Sequence, residues 1–158
     1  LEALLAALPG IAKAGYDAFV TDDLSVLAER SFRRLHAAAG KNAYLPYTQI
    51  ANLLFELRDA ARALNLHAMM NAHAMAAWIE EGVRYLGRPK LPGKLAPRHF
   101  PPVCDFVLRA QLLPPTGMGA STGEEWPGVY RFAPLDPDWY TKDRLDIPDK
   151  SPMNLCFQ

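Results

Sequence analysis

Proline placement is the feature that most limits what this chain can fold into. Twelve of the fourteen prolines follow residue 87, five of them within the fifteen residues "RPKLPGKLAPRHFPP" at 88–102. Proline lacks the amide donor a helix needs and clashes with the preceding turn, so this stretch reads as extended, polyproline-like chain. The residues before it are rich in alanine and leucine and nearly free of breakers, a helical composition. The predicted organisation is therefore a helical half, 1–87, followed by a proline-rich arm, short strands and an irregular tail, 88–158, packed on the same single domain.

Within the first half, apolar spacing predicts helices. "TDDLSVLAERSFRRLHAAAG" has Leu24, Leu27, Ala28, Phe32 and Leu35 at three- and four-residue intervals, with Thr21 or Asp22 as cap and Gly40 as stop. "PYTQIANLLFELRDAARALN" repeats the pattern through Ile50, Leu54, Leu57, Ala61 and Leu64, with Pro46 suited to its start. A shorter first helix, Glu2–Leu8, is expected to be interrupted by "PG" at 9–10. "LHAMMNAHAMAAWIEEGVRYLG" at 66–87 reads as a fourth helix, with Met69, Met70, Met75, Trp78 and Ile79 on its apolar side. The expected fold class is mainly α, an N-terminal bundle of about four helices with a small β element after it, or α+β. Its core should include Phe32, Leu35, Leu54, Leu57 and Trp78. In the second half, "VCDFVLRAQLL" and "GVYRFAPL" fit strands, the first with Cys104 buried in it.

Charge and cysteine content exclude several function classes. Net charge is zero, so wholesale attraction to nucleic acid or an anionic membrane is not expected. The distribution is uneven, however: residues 84–109 carry six bases against Asp105, and residues 124–149 seven acids against three bases. Two cysteines, Cys104 and Cys156, do not make a disulfide scaffold, which implies a reducing, cytoplasmic setting. No apolar run has the length of a membrane span, and "LEALLAALPGIA" lacks the basic flank and cleavage site of a signal peptide.

Motifs that would carry chemistry are weak. His67 and His73, six residues apart on the predicted helix, would lie on different faces, and no HExxH, Glu-x-x-His or Cys-x-x-Cys occurs. No metal and no cofactor are expected. "TGMGASTG" at 116–123 is followed by two acids and a proline where a phosphate-binding helix would have to begin. Cys104 has an acid rather than a base beside it and reads as an inert thiol. Asp105 with His99 is the least poor acid–base pair, too little to assign a catalytic residue.

"PYTQIANLL" at 46–54, "RDAARAL" at 58–64 and "PPVCDFVL" at 101–108, with the glycine loop that follows, are similar in order to elements of alkyltransferase-like winged-helix proteins. The resemblance spans residues 46–120 and implies a helix used against DNA. Asp105 and Phe106 stand where that family has His and Arg, so its cysteine chemistry does not carry over.

These features point first to a non-enzymatic protein–protein interaction module of accessory, regulatory or inhibitor type. Its expected partner-binding residues are Arg88, Lys90, Leu91, Lys94, Leu95, Phe100, Trp126, Trp139 and Tyr140, because aromatic and arginine side chains among prolines supply interface anchors. The alternative is a nucleic-acid-binding protein with a winged-helix-like arrangement using the basic 84–109 segment, which the zero net charge and the downstream acids oppose. A small enzyme of unknown class is the third reading.

Overall fold

A computed structural model describes residues 1–107, 109–113, 129–133 and 138–143. The chain forms two compact units, one from residues 1–76 and 87–104, the other from 77–86 and the residues after 104.

The first unit is built on its longest helix. In chain order it contains α1 (Glu2–Lys13), β1 (Ala18–Thr21), α2 (Leu24–Ala38), α3 (Leu45–Ala63), β2 (His67–Met70), β3 (Ala74–Met75), β6 (Arg88–Pro89) and α4 (Leu95–His99). The last is followed by a single 3-10 turn, Pro101–Val103. The arm expected as extended chain is thus helical over 95–99, where Pro97 falls in the first turn and its missing amide forfeits no helix bond. Helix α3 buries Ile50, Leu54 and Leu57 completely, with Ala51 and Ala61 on the same side. Helices α1, α2 and α4 each pack on it. The residues that meet there are Leu8 from α1, Leu24 and Ala28 from α2, and Ala96 and Phe100 from the arm. Phe32 and Leu35 lie partly buried against this core.

Helix ends follow from local chemistry. Helix α2 is capped by Asp23, one residue later than expected: its Oδ1 accepts from the amides of Ser25 at 2.6 Å and Val26 at 3.2 Å. Asn42 Oδ1 accepts from the amides of Tyr44 and Leu45 and so sets the start of α3, where Pro46 is buried. Helix α1 runs through Pro9 to Lys13 instead of breaking at "PG". Pro9 and Gly10 lie at its surface while Leu8 holds the core side. It ends at Gly15, whose φ of 84° lets the amides of Gly15 and Tyr16 reach the carbonyls of Ala12 and Ile11.

The expected bundle of about four helices is overturned at residues 66–86, which form strands. The stop is Asn65, with φ 53°. Its amide reaches Arg62 O at 3.1 Å, the Leu66 amide reaches Ala61 O at 2.8 Å, and Leu66 is buried over the junction. This double bond with an apolar plug is the Schellman termination, and helix cannot continue through it. The chain then extends as β2 and pairs in parallel with β1, Ala18 with His67 through Thr21 with Met70. Helices α2 and α3 together form the crossover that parallel strands require. The fold class is thus mixed α/β, with small sheets in place of a helical bundle. Phe19 and Thr21 face the core side of the pair, whereas Val20 and its register partner Met69 are 61% and 54% exposed.

The described residues of the second unit form short antiparallel pairs. β4 (Trp78–Glu80) and β5 (Val83–Tyr85) join through Glu81 and Gly82, both at positive φ, 51° and 77°. That is the mirror-image turn a two-residue hairpin favours. Trp78, expected in a helical core, instead stacks on its cross-strand partner Tyr85, ring centroids 4.9 Å apart and nearly parallel at 8°. Arg84 pairs with Asp138. β7 (Phe106–Val107) pairs with β10 (Lys142–Asp143), and β8 (Arg109–Leu113) with β9 (Val129–Ala133). The second expected strand, "GVYRFAPL", therefore exists as β9. The first starts later than expected, at Phe106, and leaves Cys104 outside it after the 3-10 turn.

Two substitutions check this packing. Leu57→Ala should destabilise by about 2–5 kcal/mol, as for other fully buried leucines. Gly93 has φ 76°, and a β-carbon there would run into the Tyr47 ring, itself 4.7 Å from Phe32. Gly93→Ala should therefore cost about 1–3 kcal/mol through strain and overpacking. Thermal or denaturant unfolding of each variant measures the loss. A change within about 0.5 kcal/mol, typical of a surface site, would contradict the packing at that position.

Candidate functional site

The carboxyl ends of β1 and β2 bring together the polar groups with the most defined geometry in the first unit. β1 runs out into Thr21, Asp22 and Asp23, and β2 into Asn71, Ala72 and His73. The two ends are cross-tied by backbone: the Asn71 amide donates to Thr21 O at 3.0 Å, and the Leu24 amide to Asn71 O at 2.7 Å.

Asp23 works in two directions. One carboxylate oxygen caps α2, and the other, Oδ2, lies 2.7 Å from Nε2 of His73. The His73 amide donates to Ser25 Oγ at 2.9 Å, and its carbonyl accepts from the Lys90 amide at 2.8 Å. The imidazole is thus held at one nitrogen and by the backbone on both sides, while its side chain remains 64% exposed. Asp23 is far less accessible at 16%. Asp22 is exposed beside this pair. The Thr21 hydroxyl is buried under the same strand end with no hydrogen-bond partner among the described residues.

The first three amides of α2 are already taken, Leu24 by Asn71 and Ser25 and Val26 by Asp23. The head of this helix therefore offers no free amide pair to an anion. What the edge presents is one exposed carboxylate and one oriented imidazole, a set suited to a cation, a water or a phosphate oxygen brought with a cation. Among the described residues no three His, Cys, Asp or Glu side chains converge as a metal-holding group. No described helix is long and apolar enough to cross a membrane.

The residues expected at a partner interface are distributed differently. Leu91 and Phe100 are buried in the core of the first unit, where Phe100 lies 6.5 Å from the Phe55 ring. Arg88 is half-buried in β6, and Lys90, Lys94 and Leu95 are exposed. In the second unit Trp139 is buried and Tyr140 half-buried. Trp126 lies outside the described residues. The Cys104 thiol is half-buried, 3.5 Å from Phe100 O, consistent with a structural role. His67 and His73 do not share a helix: His67 is in β2 and His73 follows it.

None of Asp22, Asp23, Asn71 or His73 was expected at a site. The signal in the sequence is "AFVTDD", a short β-prone apolar segment ending in two acids, of which periodicity alone picks out Thr21 or Asp22, and only as a helix cap. "NAH" was hidden by the helical reading of 66–86. Comparison of the chain with protein-family models, curated proteins and solved structures gives no match.

Proposed function

We propose that the carboxyl edge of the β1–β2 pair is a ligand site for a phosphorylated small molecule carried with Mg2+, for which MgATP serves as the probe. One juxtaposition carries this reading: exposed Asp22 at the end of β1, beside the Asp23–His73 pair that ties it to the end of β2. In open parallel sheets ligands bind outside the carboxyl ends of the strands, where the connecting loops diverge.

The chemistry supports a cation first. Mg2+ needs only one or two carboxylates from the protein and fills the rest of its shell with water and phosphate oxygens. An acid at the end of a strand is a recurring way for phosphoryl-transfer proteins to hold it. In this reading Asp22 holds the cation. Asp23 orients His73, whose remaining ring nitrogen meets a phosphate oxygen. The described residues include no glycine-rich phosphate cradle; they supply the cation and proton-handling side.

The interaction-module reading draws less support, because its apolar anchors Leu91, Phe100 and Trp139 are spent in the protein's own interior. Desolvation of such groups is what gives an interface most of its energy.

Isothermal titration with MgATP, with ATP lacking metal and with Mg2+ alone tests the proposal. MgATP should bind best, and Asp22→Asn should weaken it by about tenfold or more, the scale of a lost metal-site contact, with unchanged melting temperature. No heat at millimolar MgATP, or equal affinity in Asp22→Asn, would overturn the assignment.

A further inference from the structure

The proline-rich arm has a second character that its burial pattern exposes. From Gly87 to Cys104 it contains Arg88, Lys90, Lys94 and Arg98 and no acid. Its apolar residues Leu91, Ala96, Pro97, Phe100 and Pro101 face inward and dock it, while Lys90, Lys94, Arg98 and His99 are exposed. Lys94 stands at the residue before α4, with no side-chain bond to the helix's amides, and Arg98 lies four residues on, so the two cations are neighbours on one side of the turn. Like charges at that spacing repel, and no acid of the arm relieves them.

Charge is also segregated between the two units. The first holds eleven Lys and Arg against seven Asp and Glu, a formal +4, and the second six against ten, a formal −4. The neutral total conceals a basic unit whose arm is its most one-sided stretch.

The geometry points to nucleic acid as the partner of this ridge, held through the phosphate backbone by Lys90, Lys94 and Arg98. Recognition should be independent of sequence and should favour duplex over single strand. Single-strand binders stack bases chiefly on exposed Phe, Tyr and Trp rings, and the arm's one such ring, Phe100, is buried, leaving only the His99 imidazole exposed. What remains is charge, and duplex has the higher charge density. This inference is independent of the carboxyl-edge site.

Fluorescence anisotropy of the whole protein with a labelled duplex, and with one of its strands alone, tests it. Three phosphate contacts imply a log–log salt slope of about −2.7 for duplex, or about 40-fold weaker binding from 50 to 200 mM salt. The double variant Lys94→Glu/Arg98→Glu should lose at least about tenfold in affinity and flatten the slope by about two, with unchanged melting temperature because both side chains are exposed. Absence of duplex binding at low salt, equal binding by the double variant, or tighter binding to the single strand would each overturn the proposal. Equally tight binding of polyglutamate would overturn it too, since that would make the ridge a dock for acidic protein.

Discussion

One backbone conformation decides what the first unit can be. Asn65 sits in the left-handed region, and the two hydrogen bonds that follow it close α3 with Leu66 as the plug. Asparagine tolerates this region better than most residues, because its short polar side chain can bond locally. Everything on the far side of that stop depends on it. An α3 continuing into "LHAMMNAHA" would leave β1 without its neighbour and would carry His73 several turns from Asp23. The pairing of the strands and the polar cluster at their ends are both consequences of ending a helix at this point.

The two helices on either side of Gly40 were legible from periodicity, because each has one continuous apolar face and a recognisable start. Leu54 and Leu57 of α3 are as buried as the spacing implied, whereas Phe32 and Leu35 of α2 are only partly so. Residues 66–86 were not legible in that way. Alanine and methionine favour helix intrinsically, and Met69, Met70 and Trp78 happen to fall near a 3.6-residue period. Local propensity there is worth only tenths of a kcal/mol per residue. Strand pairing, the stop at Asn65 and the positive-φ turn at Glu81–Gly82 outweigh it. The hairpin was signalled, since "WIEEGVRY" places aromatic and β-branched residues on both sides of a Glu–Gly pair, but helical content nearby masked it.

The arm illustrates a different limit. Sequence identifies Leu91, Phe100, Lys94 and Arg98 as a mixed apolar and basic set, and nothing in their order says which half faces inward. Docking on α3 makes that choice, and Gly93 permits it by letting the Tyr47 ring close over the backbone. A segment that reads as an interface for a protein partner becomes, once docked, a positively charged surface over its own core. Burial converts one residue list into two opposite functional statements.

His73 makes three bonds of different kinds. Its amide to Ser25 Oγ and its carbonyl from the Lys90 amide belong to the backbone, and any residue other than proline can keep them. Only the imidazole bond to Asp23 depends on this side chain. Position 73 is therefore a place where architecture and chemistry come apart. The chain trace there would survive many side chains, and the cap that Asp23 gives α2 uses its other oxygen. The choice of histidine is thus one that neither the trace nor the cap demands.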